Sequence, residues 1–395
     1  MPCPHIRHFA SAAMAVVSLL LASCGGGGSG DDAAAARAFP LSSTLANMCT
    51  LDGQKQFVRS LLDETYLWYD EIPVVNAADY ATVPAYFNAL LVKPKDRFSA
   101  VLTSSAADAR QLAPHEPLAA SGVTANLVAA NGKSVPLARV VASPSGRRVG
   151  YVLFNDHSEG AQDELISAFD KLRTAGVDDL VLDMRYNAGG FLYVALTAAS
   201  LVTGPQSEGR IFEQLRYSAR RQSEMPVSSY LYSSRVQTSE PVYSRGSPLP
   251  QLNLPRLYVL TSGKTCSASE SIINSLRGID IEVILVGATT CGKPFGFHRQ
   301  DNCGLAFFPI EFQGYNARNF GDYTSGFMPT CPVADNLLSA LGSTTEPLLA
   351  AALFHSDTGS CPAANAAKLS QGELLSGRAH APLLTRQQWD GRQLK

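Results

Sequence analysis

Very little net charge survives when this sequence is summed: 32 lysines and arginines face 34 aspartates and glutamates, leaving −2. Without a basic excess there is no field to draw in a phosphate backbone, which argues against nucleic acid as a partner. Charged residues make up only 17% of the chain and hydrophobic ones 46%, the balance of a globular protein with a good-sized core. Beyond the first two dozen residues no stretch is long and apolar enough to span a bilayer. The eight cysteines form no C-x-x-C pair and no Cys/His cluster at zinc-ligand spacing, so no metal is implied. No internal repeat is evident. Gly263-Lys264-Thr265 imitates the end of a phosphate-binding loop, but the glycine required five positions before Gly263 is Tyr258, and that reading fails.

The N-terminus bears on the compartment. Met1 to Phe9 carry Arg7 and two histidines, and Ala10 to Ala22 follow without a charge. At about a dozen residues this run is too short for a permanent membrane helix and fits the apolar region of a signal peptide. It ends in Leu21-Ala22-Ser23-Cys24, which resembles the lipobox of bacterial lipoproteins. There the cysteine is acylated and becomes the new N-terminus. Gly25 to Gly30 and Asp31-Asp32 read as a flexible tether, and Gly25 resembles residues that permit sorting to the outer membrane. The expectation is a chain anchored to a membrane through lipid on Cys24 and facing the periplasm. With Cys3 and Cys24 set aside, Cys49, Cys266, Cys291, Cys303, Cys331 and Cys361 remain. In an oxidising compartment these six permit disulfides with 15 connectivities.

About 370 residues follow Cys24, enough for two or three domains. The divisions expected are a signal peptide over 1–24, a tether over 25–44, a helical region over 45–95, a short β-rich segment over 96–147, an α/β core over 148–360 and a tail over 361–395. In the helical region Phe57, Leu61 and Leu62 recur at helix spacing, with Tyr66, Trp68 and Tyr69 as an aromatic cluster. Asn131-Gly132 between Val123–Val128 and Val135–Val141 suggests a β-hairpin. From Arg148 strands and helices alternate. Gly150–Phe154, Asp179–Met184, Arg256–Thr261 and Val283–Val286 read as strands, and Glu159–Ala175 and Ser267–Leu276 as helices. This alternation argues for a largely parallel sheet with helices packed against it, hence an α/β fold. Thr203 to Leu254, rich in Ser, Arg and Pro, reads as a long insertion or flap.

Three turns carry the candidate chemistry. In Tyr258 to Ser271 a strand runs through small residues into a helix that begins near Ser267. The free N–H groups and partial positive charge of such a helix end suit a developing oxyanion. The competing reading is local, because Ser267-Ala268-Ser269-Glu270 is also a capping box with Ser267 as N-cap and Glu270 at N3. A second strand ends in Cys291-Gly-Lys293-Pro-Phe. A lysine desolvated in such a turn loses preference for its ammonium form, the condition for acting as a general base. A surface lysine is the ordinary alternative. The third turn is Asp183-Met-Arg-Tyr-Asn-Ala-Gly-Gly, where Gly189 and Gly190 let the backbone approach a ligand. Asp183, Arg185 and Asn187 read as local hydrogen-bonding residues.

Taken in order, these segments resemble the C-terminal processing peptidases, the tail-specific protease family. Its members carry D-L-R-x-N-x-G-G, then S-A-S-E, then a G-K turn about 25 residues later, the interval from Ser267 to Lys293. The match covers about Arg148 to Leu353, and Tyr66-Leu-Trp-Tyr and Asp96-Arg-Phe-Ser resemble the helical N-terminal part of some lipoprotein members. The resemblance implies a ClpP/crotonase-like core and cleavage of polypeptide chains, with no metal or organic cofactor. It further implies Ser267 as nucleophile, Lys293 as its base, and the N–H groups of Ala268 and Gly190 as oxyanion hole. The sequence departs from the family in three places. Many members carry a glutamine four residues after the lysine, where this chain has Phe297, so His298 or Gln300 is the candidate orienter. The family inserts a PDZ module after the helical region, but only about Val101 to Ser145 is available, below the usual size of a domain. This makes the 96–147 segment a remnant where a PDZ domain would sit. Lastly, Cys266 abuts the serine and Cys291 lies near the lysine. If the two side chains meet, these cysteines are close enough to bond, and Cys303–Cys331 is the second expected pair. A binding or adaptor lipoprotein without catalysis on the same core is the alternative function.

Overall fold

The computed structural model describes residues 39–112, 132–222, 229–336, 339–363 and 392–393. The signal peptide, Cys24 and the tether as far as residue 38 lie outside the described residues, as do Val123–Val128, Asn131 and most of the tail.

At the N-terminal end, Thr50 accepts the Gly53 N–H at 3.1 Å and starts α1 (Leu51–Thr65). Thr82 does the same for Ala85 at 3.2 Å ahead of α2 (Val83–Leu90). Both are N-caps that satisfy a donor the helix itself leaves open. The apolar faces of the two helices, Phe57, Val58, Leu61 and Leu62 against Val83, Phe87 and Leu90, do not close a core alone. Phe295, Phe297, Phe307, Phe308 and Ile310 complete it. The helical region therefore shares its interior with the chain just beyond Lys293.

The described strands of the 96–147 stretch pair with strands of the core. The first, β1 (Ala100–Thr103), pairs antiparallel with β11 (Leu305–Phe308), which also pairs with β10 (Gln300–Asn302). A helix, α3 (Ser104–Leu112), follows β1. Then β2 (Leu137–Ala142) forms an antiparallel edge on β3 (Arg148–Leu153), the chain reversing over Ser143–Arg147. Strands this short need partners from a larger sheet, and the core supplies them.

The central sheet runs β13–β8–β7–β4–β3–β2, adding β4 (Asp179–Asp183), β7 (Arg256–Thr261), β8 (Glu282–Gly287) and β13 (Cys331–Pro332). All but the β2–β3 pair are parallel. Alternation along the strands divides the side chains between two covered faces. Leu180, Leu182, Leu257, Val259 and Leu285 meet α4 (Ala161–Ala175), α5 (Leu192–Val202) and α6 (Ala268–Gly278). Val181, Tyr258, Leu260, Ile284 and Val286 pack with α7 (Pro347–Thr358). A second sheet holds β9 (Phe295–Phe297), β12 (Phe312–Tyr315), β5 (Ile211–Tyr217) and β6 (Ser229–Leu231), with Arg392–Gln393 beside β9. The Thr203–Leu254 stretch, expected as a flap, thus contributes a strand paired on both sides. Its polar composition conceals the alternation of buried Leu215 and Tyr217 with half-buried Gln214 and Arg216.

Because β4, β7 and β8 are parallel neighbours, the turns that follow them leave the same edge of the sheet. Those turns carry Asp183–Gly190, Ser262–Ser267 and Ala288–Lys293. Open α/β sheets place their sites at this edge.

Candidate active site

Ser267 does not have the geometry of an ordinary helix cap. N-cap residues sit in the β region, whereas Ser267 has φ 57° and ψ −114° just before α6. A non-glycine residue with positive φ persists only where its surroundings impose it, and such residues cluster at active sites. Here the surroundings are the glycine turn after β4. A Cβ placed on Gly189 would lie 2.9 Å from the Ala268 nitrogen and 3.0 Å from the Ser267 Cβ, and Gly189 itself has φ +101°. Only glycine permits this approach. Asn187 sets the turn. Its Oδ1 accepts the Gly189 N–H at 3.0 Å and meets His157 Nδ1 at 3.0 Å, and its Nδ2 donates to the Phe154 carbonyl at 3.0 Å. The Asn187 carbonyl accepts from Cys266 N–H at 3.1 Å and Ser269 Oγ at 3.0 Å. Gly190, bridged to His157, lies one residue beyond.

Lys293 is joined to this turn through Glu270. One Glu270 oxygen, Oε2, accepts the N–H groups of both Ser267 (2.9 Å) and Lys293 (2.8 Å). The other, Oε1, accepts from Gly292 N–H at 2.9 Å and Thr290 Oγ1 at 2.5 Å. The carboxylate read from sequence as the N3 member of a capping box thus also spans two chain segments. Burial pushes the Glu270 carboxyl above its ordinary value, while the hydrogen bonds from Thr290, Lys293, Gly292 and Ser267 pull it back toward ionisation. Cys266 is bonded to Cys291, a second link between the same turns, and the Cys291 N–H donates to the Thr265 carbonyl at 3.0 Å. Gly292, with φ +83°, fits a space where a Cβ would meet the Thr324 carbonyl oxygen at 2.3 Å. The side chains of Ser267 and Lys293 are both fully buried.

The remaining sequence candidates sit elsewhere. His298 follows Phe297 on the opposite face of the chain, with Nδ1 2.7 Å from Glu311 Oε2, and Gln300 lies in β10 opposite Phe307. Two aromatic rings flank Lys293: Nζ is 5.1 Å from the centroids of both Phe98 and Phe297. Cys303 is bonded to Cys49 and Cys331 to Cys361, so the expected Cys303–Cys331 pair does not form. Spacing along the chain does not reveal which cysteines the helical region brings near. Asp183 and Arg185 are engaged in an ion network with Glu346 and Asp335. Sequence reasoning missed Glu270 as a link between turns, Phe98 as a neighbour of Lys293, and His157. Only Glu270 had a local signal, and its cap reading obscured it.

Beside the lysine turn lies a cleft of about 420 Å³ lined by Trp68, Arg97, Phe98, Phe295, Gln313 and Thr324 among others. Its walls come from the helical region and the core together. Arg97 crosses between them, donating to the carbonyls of Cys291 (3.2 Å) and Thr324 (3.0 Å).

Residues 148–301 match the model of peptidase family S41, and residues 53–100 match the peptidase S41 N-terminal domain. Two carboxyl-terminal-processing proteases are similar in sequence. That of Picosynechococcus sp. is 27% identical over 237 residues, 58% of this chain and 50% of the relative. That of Synechocystis sp. is 27% identical over 200 residues, 50% of this chain and 40% of the relative. The chain therefore spans half or less of the length of these curated relatives. An S41 protease of Bacteroides fragilis shares the fold, with a TM-score of 0.60 at 21% identity over 77% of this chain and 97% of the other.

Proposed function

We propose, from the premise that this chain belongs to peptidase family S41, the C-terminal processing peptidases, that it hydrolyses peptide bonds of exported proteins through Ser267 and Lys293. The observation that carries this reading is the single Glu270 oxygen that accepts the N–H of both residues. The Lys293 amine takes the proton of Ser267 Oγ as that oxygen attacks the scissile carbonyl carbon. The tetrahedral oxyanion accepts from the N–H groups of Ala268 and Gly190. As the C–N bond breaks, the lysine returns its proton to the leaving amine, leaving an acyl-enzyme on Ser267. A water then loses its proton to the lysine and attacks the ester carbon; the bond to Ser267 Oγ breaks, the lysine returns the proton to that oxygen, and the carboxyl product leaves. The strained Ser267 backbone and the adjoining glycine turn support the oxyanion assignment. The cleft beside the lysine turn, lined by aromatic rings together with Lys95, Arg97 and Gln313, gives a polypeptide substrate a place to lie.

Casein digestion by the purified mature chain tests this. Ser267→Ala abolishes cleavage above background, and Lys293→Ala lowers it by roughly 10²–10⁴-fold, the usual weight of a general base. Equal digestion by all three proteins removes the peptidase reading. We further propose that the chain is held to a membrane by lipid on Cys24 and faces the periplasm. The Leu21–Cys24 segment and the three disulfides support this.

A further inference from the structure

We propose that Phe98 and Phe297 form a two-ring cage that positions the Lys293 amine and sets the pH at which it gains its proton, an inference that rests on the Ser267–Lys293 reading. Lys293 is fully buried, so its ammonium is cut off from bulk water. Both ring centroids lie 5.1 Å from Nζ, inside the range where the negative face of a ring attracts a cation. The rings come from opposite parts of the molecule. Phe297 is in β9, four residues after the lysine, and is fully buried against Phe308. Phe98 lies between the helical region and β1 and is held by local hydrogen bonds. Asp96 Oδ1 accepts from the N–H groups of Phe98 (2.9 Å) and Ser99 (2.8 Å), and the Tyr66 hydroxyl donates to Asp96 Oδ2 at 2.8 Å. The Ser99 hydroxyl accepts from Ile310 N–H at 2.9 Å, fixing this turn to the core.

Glu270, Asp96, Arg97 and Glu311, near the lysine turn, are each engaged in hydrogen bonds of their own. Glu270 braces its backbone, and Asp96 is committed to the Phe98 turn. The Arg97 guanidinium lies 5.0 Å from the centroid of Phe98 and binds two carbonyls. Glu311, beyond Phe297, is paired with His298 and with Arg221 at 3.5 Å. The rings therefore act as neutral positioning groups that hold the amine without quenching it as a base. Phe98 also lines the cleft. A substrate side chain lodged there touches the same ring that flanks the lysine.

The test weakens the ring quadrupole without changing ring size. Phenylalanine analogues bearing one, two or three fluorines are placed at position 297, and separately at 98, in the mature chain. The protonation midpoint of Lys293 is read by NMR of the ¹⁵N-labelled amine, alongside the pH profile of kcat/KM on a peptide substrate. Each added fluorine destabilises the ammonium, so both the midpoint and the acidic limb move stepwise to lower pH, by about one unit in total. Unfolding midpoints in urea, unchanged across the series, separate this from a packing effect. A midpoint that stays fixed in every variant overturns the cage. A midpoint that moves in a chain that cleaves nothing supports the cage and overturns the peptidase reading instead.

Discussion

Glu270 is the residue on which the two halves of the proposed chemistry are assembled. Four donors from two chain segments share its two oxygens, so every lone-pair direction of an ionised carboxylate is used. In Glu270→Gln one oxygen becomes an amino group facing N–H donors, which leaves buried donors unsatisfied. The expected cost is at least ~2 kcal/mol of stability, read from urea unfolding. A displacement of about 1 Å between the turns lowers kcat/KM by roughly 10²-fold. A variant with wild-type kcat/KM would show that the carboxylate is no more than a helix cap. The cap reading was available from Ser267-Ala268-Ser269-Glu270 alone. Its second role was not, because Gly292 and Lys293 are remote in sequence and only the neighbouring β7 and β8 bring them within reach.

At the scale of elements, the buried Arg185 fastens the end of β4 to the start of α7. Its guanidinium bonds both oxygens of Asp183 (2.9 and 3.0 Å) and both of Glu346 (2.8 and 2.9 Å), while Glu346 caps α7 through the Leu349 N–H at 2.9 Å. The sequence marked Asp183 and Arg185 as local hydrogen-bonding residues. The partner Glu346 was invisible because it arrives from far along the chain. Replacing Arg185 with Met strands buried carboxylates and costs about 3–5 kcal/mol, measured by chemical denaturation. Burial resists ionisation of Glu346, but Arg185 and the helix N–H groups outweigh it and hold the carboxyl below its usual range. A depressed carboxyl stabilises the fold above its unfolded pKa, and that stability disappears as the pH falls through the folded value. Acid unfolding of wild type includes this loss, and Glu346→Gln flattens it. The Asp183 share runs the other way, since burial raises its carboxyl.

Across the whole molecule, the helical region and the core are one construction. Cys49, just ahead of α1, is bonded to Cys303 across a separation of 254 residues. Closing so long a loop restricts the unfolded chain and contributes ~3–5 kcal/mol. Phe98, just past the helical region, reaches the lysine, and Trp68 and Phe295 meet edge to face at 5.1 Å beside the cleft. Disulfides form most readily in an oxidising compartment, which supports the proposed anchor at Cys24. Cells expressing the full chain are expected to incorporate labelled palmitate into it and to retain it in the membrane fraction. Cys24→Ser removes the label and releases or arrests the chain. Label that persists in Cys24→Ser would end the anchor proposal.

The sequence alone determined the α/β alternation, the order of the three glycine-bearing turns and the family resemblance, because strand periodicity, helix spacing and short motifs are local properties. It also pointed to Cys266 and Cys291 as neighbours, since each lies within two residues of a proposed catalytic side chain. Tertiary structure decided the rest: which strands lie side by side, how the other four cysteines pair, and that two aromatic rings flank Lys293. These depend on contacts between residues 30 and 254 positions apart for the disulfides, and between separate elements for the strands and rings. Such contacts are selected by how buried surfaces fit together, and no short stretch of the chain encodes that fit.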